Sequence, residues 1–587
     1  MIITSLRLFA SQIGWRLGVL FFIALSAGIA EGFGVSMILP LLESDIGRSE
    51  TTLGKLIRAI FNLVELPTTG TNILIMLVLF FFVRAILFIG QTWYQAGLLA
   101  NHLSDIRGKL IRSIFNTDYV HLTKYDAGYL TNGVVREIES VNHGVRMLID
   151  LMVALVMASV YILLPVLMQP VLTISLFVLA IPIAGLSFVM IQKTRRLSIR
   201  LTEIHGRQES FFIEGIRNAK YVKATGRVKV ISSRMVSETN RVSEIFRKFF
   251  ILGGITRYAP EPLVVFVMAA VIIIYTRGFD HSITEILFLM FLFYQSAKNM
   301  LKVQSSLRQF IEATGSLRLY EKLRNDLDIH AIKDDSIENK PNLDAPINLS
   351  NITVNYPNAA TAALTHIDLK IPNRSTVALV GASGSGKTTI ANLVCGLIIP
   401  SSGEISIDGV SYDSISTQAL QQSIGYVTQE SAVFNGSLLE NVTLWHPKPD
   451  IERVSDILIQ LDLTNIGASS KKKDFINNVV GGDGAQLSGG ERQRLSIARE
   501  LYRNPKLMIL DEATSALDSE LELKIDELLE SQKGSKTFLI IAHRLSTVRN
   551  ADLIYVLHEG IVTESGTFNE LISANGEFAQ MVKMQSF

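Results

Sequence analysis

Gly381, Gly386, Lys387 and Thr388 stand in the order G-x-x-x-x-G-K-T within VALVGASGSGKTTIANLV, between a β-branched run and a helical one. Glycines at that spacing let successive backbone N–H groups turn toward phosphate oxygens, and the start of the following helix adds positive potential. Lys387 is then placed to reach the terminal phosphates, and the Thr388 hydroxyl can ligate Mg2+. A glycine-rich turn before a helix also arises by chance, so the motif needs company. It has it in KLMILDEATSALD, an apolar run ending in Asp511 and Glu512. One carboxylate suits the Mg2+ shell, and the second can act on an attacking water. Alone, two acids at a strand end are more often simply solvated; downstream of a phosphate loop they read as a hydrolytic pair.

Further motifs follow in a fixed order: LSGGE at Leu487 to Glu491, then the Asp-Glu strand, then ALD, then IAHRLST with His543. This series resembles the nucleotide-binding domain of ATP-binding cassette (ABC) transporters, and LSGG is its discriminating element. The resemblance implies that ATP is held by Gly381, Ala382, Ser383, Gly384, Ser385, Gly386, Lys387, Thr388 and Thr389, with Tyr356 of NITVNYP stacked on adenine. It implies a Mg2+ shell of Thr388, Asp511 and the Q-loop glutamine Gln429 of IGYVTQE. Glu512, Gln429 and the switch histidine His543 would be catalytic, and Asp518 would belong to the D-loop. Ser488, Gly489 and Gly490 would face the γ-phosphate held by a second subunit. Elementary chemistry agrees in part, since an aromatic face is worth about 1–3 kcal/mol to a stacked base. A Ser-Gly-Gly turn opening the helix ERQRLSIAREL is another anion-binding N-terminus. The plainer alternatives are a packed aromatic for Tyr356 and a core or capping histidine for His543.

Positioning these loops requires a sheet. From Ile347 to the C-terminus, short β-branched runs (STVALVG, KLMILD, KTFLIIAH, DLIYVL) alternate with helical stretches, which predicts an α/β domain around a largely parallel sheet over 347–587. The charged, proline-bearing stretch Ala331 to Pro346 reads as a linker, placing a first domain at 1–330.

That first domain is apolar. The chain has 587 residues, 19% of them charged, and a mean hydropathy of +0.32, which points to a membrane protein with a soluble part. A net charge of +1 without a basic block gives no nucleic-acid signature, and the single Cys395 excludes a disulfide framework and a zinc cluster built on several thiolates. Windows at 15–42, 71–100, 145–168, 169–192, 251–276 and 282–305 meet the criterion of about 20 apolar residues for a membrane-spanning helix. Gln169-Pro170 breaks the third from the fourth, predicting a tight antiparallel hairpin. The segment Lys193 to Lys248 carries 14 Lys/Arg against 5 acids. The positive-inside rule then puts both termini and the cassette in the cytosol; the membrane expected is a bacterial inner membrane. The expected fold is thus a membrane domain of six helices with long cytosolic extensions, followed by a P-loop NTPase domain.

Six spans fused to one cassette resembles ABC exporters of the half-transporter type. One chain carries one P-loop and one LSGG, so the resemblance implies a homodimer, with alternating access moving an amphipathic substrate outward. Residues near Tyr125 to Gly128 and Phe211 to Gly215 resemble the family's coupling regions. VGGDG at Val480 to Gly484 departs from the frequent VGExG in having Gly482 before Asp483, and Glu491 stands where glutamine is frequent. Within apolar runs lie Glu31, Arg84 and Glu261; a charge at the bilayer centre costs about 2.5–3.5 kcal/mol on insertion scales, which predicts residues that face a cavity or a partner. Arg84 suits an anionic headgroup or a structural pair with Glu31. The glycine-rich first span resembles those of lipid-linked oligosaccharide flippases. A lipid-linked glycan or glycolipid is therefore one substrate reading; multidrug, peptide and lipid-A-type export are alternatives, and an ATP-gated channel or sensor is the alternative of a different class.

Overall fold

The structure, a computed structural model, describes residues 13–585 apart from 43–57, 60, 63–64, 260–261, 264, 267–268, 270–282, 333–338, 357–360, 467–474, 482–486, 513–526, 529 and 543–547. It divides into two compact units: Met1–Leu110 with Thr131–Lys322, and Ile111–Leu130 with Leu323–Phe587.

Long helices dominate the first unit: α1 (Arg16–Ser36), α2 (Gly70–Asn116), α3 (Ile138–Met168), α4 (Pro170–Arg217), α5 (Val228–Tyr258) and α6 (Ile283–Ile329). The small residues of α1 let it approach α3 closely, because Ala24, Ala27, Gly28, Ala30 and Gly32 all lie on its buried face. A Cβ at Gly32 would stand 3.0 Å from Val160, and one at Gly28 would stand 3.2 Å from Val156. Pro40 cannot donate to the Ser36 carbonyl, and the helix accordingly ends at Ser36 before a short helix Ile38–Leu42. On α2 an opposite logic holds. Phe82, Ile86, Ile89 and Trp93 recur at helical spacing and are 65%, 66%, 70% and 80% exposed, an outward apolar stripe suited to lipid.

Three helical stretches, Arg16–Leu41, Gly70–Asn116 and Ala127–Met168, are long and apolar enough to cross a membrane among the described residues. The expected windows at 251–276 and 282–305 include residues outside that description. Gln169, with φ −144° and ψ 82°, breaks α3 from α4, and Pro170 opens α4 at a position where its missing N–H costs nothing. Phe211 to Gly215 continue α4 rather than turning, because the helical pattern runs unbroken to Arg217. The short helix between α4 and α5 is Ala219–Ala224, followed by Gly226 at φ +67°.

In the second unit a four-stranded antiparallel sheet lies in the order β2-β1-β4-β5, formed by β1 (Ile347–Val354), β2 (Leu364–Ile371), β4 (Ser402–Ile407) and β5 (Val410–Ser411). The main sheet has the order β12-β11-β3-β10-β9-β6. Its strands are β3 (Thr376–Gly381), β6 (Ile424–Val427), β9 (Leu507–Asp511), β10 (Thr537–Ile541), β11 (Leu553–His558) and β12 (Ile561–Gly566), while β7 (Gly436–Ser437) and β8 (Val479–Val480) form a separate antiparallel pair. All neighbours are parallel except β11 and β12. Buried on both faces, β3 and β9 read as continuous apolar runs (TVALV, LMIL), as central parallel strands must. Helix α7 (Lys387–Val394) covers one face with Ile390, Ala391, Leu393 and Val394. On the other side, α8 (Gly489–Arg503) contributes Leu495, Ile497, Ala498 and Leu501 to a second core.

The lower end of α2 also belongs to this unit. Ser113 donates to Asp328 at 2.6 Å, the Ile332 N–H to the Asn116 carbonyl at 2.9 Å, and Val120 of the short helix Tyr119–Leu122 packs on the hydrophobic core shared by the two sheets and α7.

Candidate active site

The loop after β3 turns sharply into α7 because its glycines remove side chains where backbone must pass. Gly386 has φ +102°, and a Cβ there would stand 2.9 Å from the Ala363 carbonyl oxygen. A Cβ on Gly381 would stand 2.2 Å from the Leu557 carbonyl oxygen. Alanine is therefore excluded at both by backbone alone. Lys387, 5% exposed, donates to the Gly381 and Ala382 carbonyls, both at 2.8 Å, so its ammonium is folded against the loop that it would share with a phosphate. Burial pulls its pKa down, opposed by the charges of Glu512 and Asp511.

Strands β3 and β9 flank β10 in the sheet, so their C-terminal ends bring the glycine loop and the two acids to one edge. Thr388 donates to Asp511 at 3.3 Å, and the Tyr426 hydroxyl reaches the same carboxylate oxygen at 3.4 Å. Asp511 is 4% exposed, and burial pushes its carboxyl above the usual range, against the bonds from Thr388 and Tyr426. A hydroxyl beside a buried carboxylate with little compensating charge is a hard-cation donor set, so the residues present fit Mg2+. The Gln429 side-chain amide donates to Glu512 at 2.9 Å, joining two of the residues expected to be catalytic. Glu512 itself has φ +50°, a region that non-glycine residues seldom occupy. The Tyr356 hydroxyl lies 3.4 Å from Thr389, in the first turn of α7.

Ser488 and Gly489 are exposed at the start of α8. Ser488 and Glu491 form a capping box, with Glu491 N–H donating to Ser488 at 3.2 Å and Ser488 N–H to the Glu491 carboxylate at 2.6 Å. Glu491 therefore serves this helix in the place where glutamine is frequent. The Ser488 hydroxyl accepts as a cap and keeps its own proton for another acceptor. Gly482, Asp483, Asp518, His543 and, in the first unit, Glu261 lie outside the described residues. Motif reasoning missed Tyr426 and Gln493. Tyr426 sits three residues before the Q-loop glutamine, but its direction needs the parallel register of β6 with β9.

In the first unit, Glu31 is 6% exposed within packed helices. Tyr161 donates to it at 2.5 Å, and the Arg84 guanidinium lies 3.0 Å from its other oxygen. The Arg84 Nε–H is not directed at that oxygen, so the contact is one of charges rather than a hydrogen bond. Arg84 also lies over the rings of Phe81 and Phe88 at 5.6 and 5.5 Å.

The family model for the ABC transporter matches residues 364–515, and that for the ABC transporter transmembrane region matches residues 18–296. The chain is 32% identical over 427 residues to an ATP-dependent lipid A-core flippase of Aliivibrio fischeri, covering 70% of this chain and 71% of the relative. It is 28% identical over 575 residues to one of Vibrio vulnificus, covering 95% and 93%. A beta-(1→2)glucan export ATP-binding/permease protein of Bartonella henselae is 31% identical over 431 residues, covering 71% and 70%. The solved structure of a bacterial Atm1-family ABC exporter with ATP bound superposes with a TM-score of 0.77 at 20% identity, covering 97% of this chain and 98% of that one, a likeness of fold. With a phosphate loop, a paired-acid strand and an LSGG helix assembled on one cassette behind a helical membrane region, the chain belongs to the ABC transporter family, as an ATP-hydrolysing exporter.

Proposed function

We propose that two copies of this chain form a flippase that moves an anionic glycolipid or lipid-linked glycan outward across the bacterial inner membrane at the expense of ATP. The carrying observation is the 2.9 Å bond from Gln429 to Glu512, next to the Thr388 and Asp511 pair: four of the expected hydrolytic and Mg2+-binding residues on one edge of the sheet. Glu512 accepts the proton of the attacking water, and Gln429 holds its carboxylate in place. Lys387 exchanges its loop carbonyls for phosphate oxygens, and the glycine-loop N–H groups cradle the remaining charge. Mg2+ held by Thr388, Asp511 and Gln429 would neutralise charge on the β- and γ-phosphates. Tyr356 would stack on adenine, Asp518 and His543 would complete the site, and Ser488 to Gly490 of the second copy would close it.

The glycolipid reading draws on the names of the relatives and on the outward apolar stripe of α2. In the membrane region Glu31, Arg84 and Glu261 are the proposed path residues; Glu31 neutralises Arg84 until an anionic headgroup competes for the guanidinium. The six apolar windows support six spans, and the 14 cationic residues between Lys193 and Lys248 support cytosolic termini and cassette.

The test is reconstitution in vesicles. A lipid A-core type glycolipid is expected to stimulate ATP hydrolysis and to flip only with ATP, while Glu512→Gln keeps ATP binding and loses both turnover and flipping. Glycolipid flipping that persists in Glu512→Gln with ATP bound would favour a gate over a pump. Stimulation by peptides or drugs, but by no glycolipid, would overturn the substrate class.

A further inference from the structure

Gln493 lies one turn inside α8, the helix that opens at Ser488, and is 2% exposed. Its side-chain amide donates to the main-chain carbonyl of Glu512 at 2.7 Å. On the other side of that residue, the Glu512 N–H donates to the Ile541 carbonyl at 3.1 Å, at the end of β10. Glu512 holds φ +50°, where a long side chain is disfavoured, so its conformation persists only if its surroundings determine it. The two bonds do so from opposite sides, one from the sheet and one from α8. Gln429 then fixes the free end of the same side chain.

We infer that Gln493 is a positioning residue for Glu512: through it, the helix that carries the LSGG motif sets where the hydrolytic carboxylate stands. This rests on the reading of Glu512 as the group that accepts the water's proton. The bond is made to backbone, not to the reacting atoms, so its loss shifts the carboxylate without removing it. A misplacement of about 1 Å costs on the order of 10²-fold in rate. Nucleotide contacts at Gly381 to Thr389 are left in place, so the loss must fall on kcat and not on ATP affinity.

Gln493→Met keeps the length and burial of the side chain and removes the donor. In the full-length protein in nanodiscs, it is expected to lower kcat for ATP hydrolysis by about 10- to 100-fold. The KM for ATP and the binding of a fluorescent ATP analogue should stay near those of the parent protein, and a cooperative thermal unfolding transition shows that the variant is folded. Gln493→Asn, whose amide is one methylene too short, is expected to behave likewise and serves if the methionine variant does not fold. The double variant Glu512→Gln with Gln493→Met should turn over no more slowly than Glu512→Gln alone, because a residue acting only through Glu512 has nothing left to position. A kcat within twofold of the parent for either folded single variant, or a second full loss in the double variant, would overturn the inference. Normal turnover in Glu512→Gln would instead remove the Glu512 reading on which it stands.

Discussion

Asp511, the proposed Mg2+ ligand, shows how a carboxylate is kept at a structural cost. Burial raises its pKa above the ordinary 3.8, so its ionised form is penalised in the folded cassette. The sign follows: a raised folded pKa contributes stability at low pH, and that contribution is lost as pH rises from the unfolded value through the raised folded one. Asp511→Asn removes the buried charge and can still accept from Thr388 and Tyr426. In the absence of nucleotide it is expected to raise the unfolding midpoint by about 2–4 °C, equivalent to about 1 kcal/mol, while ATPase activity falls by about 10²–10³-fold. A calorimetric scan beside a phosphate-release assay checks both; a lowered midpoint would mean that the carboxylate stabilises the fold. Glu31 is the comparable residue of the membrane region. Truncating Arg84 would leave that buried acid without its counter-charge, a change that typically costs about 3–5 kcal/mol when a buried pair is broken.

Among the elements, the short helix Tyr119–Leu122 and the end of α6 illustrate how a loop is fixed. Asp326 accepts from His121 at 2.6 Å and from the Tyr125 hydroxyl; Lys124 donates to the other His121 ring nitrogen at 3.2 Å, and His330 stacks on the His121 ring at 3.6 Å. Both nitrogens of His121 are thus engaged within the cluster. The Tyr125 and His121 bonds hold the Asp326 carboxyl below its usual value, while burial and the Asp326 bond push the Tyr125 phenol up to about 12. A depressed carboxylate contributes stability above its unfolded pKa near 3.8 and loses it only as pH falls below that. The clasp is therefore expected to hold at pH 5–8. Asp326→Asn should speed tryptic cleavage after the exposed Lys124 by severalfold, and by a similar factor at pH 7 and pH 8, because Asp326 of the parent stays ionised across that range. Equal cleavage of parent and variant at both pH values would show that Asp326 does not hold this helix.

On the scale of the whole molecule, one chain presents one phosphate loop and one LSGG helix, so a site closed by a second copy predicts complementation. A dimer of Lys387→Ala chains and a dimer of Gly490→Asp chains should each be inactive. Aspartate in the first turn of α8 suits the helix while repelling phosphate. Co-expressed and purified as a mixed dimer, the two lesions fall on one site and leave the other intact, so about half of the parent ATPase activity is expected if the sites are independent. No recovery would argue that each chain closes its own site, or that hydrolysis requires both. Motif spacing alone determined the cassette, its phosphate loop and its paired acids, because those functions depend on residues adjacent in the chain. The break at Gln169-Pro170 was legible for the same local reason. Other features depend on residues far apart in sequence. The Glu31, Arg84 and Tyr161 group, the docking of Val120 on the cassette core, and the grip of Gln493 on Glu512 come from helix packing and strand register. Whether α1 spent its glycines on flexibility or on packing was likewise decided only when Val156 and Val160 of α3 filled the space beside them.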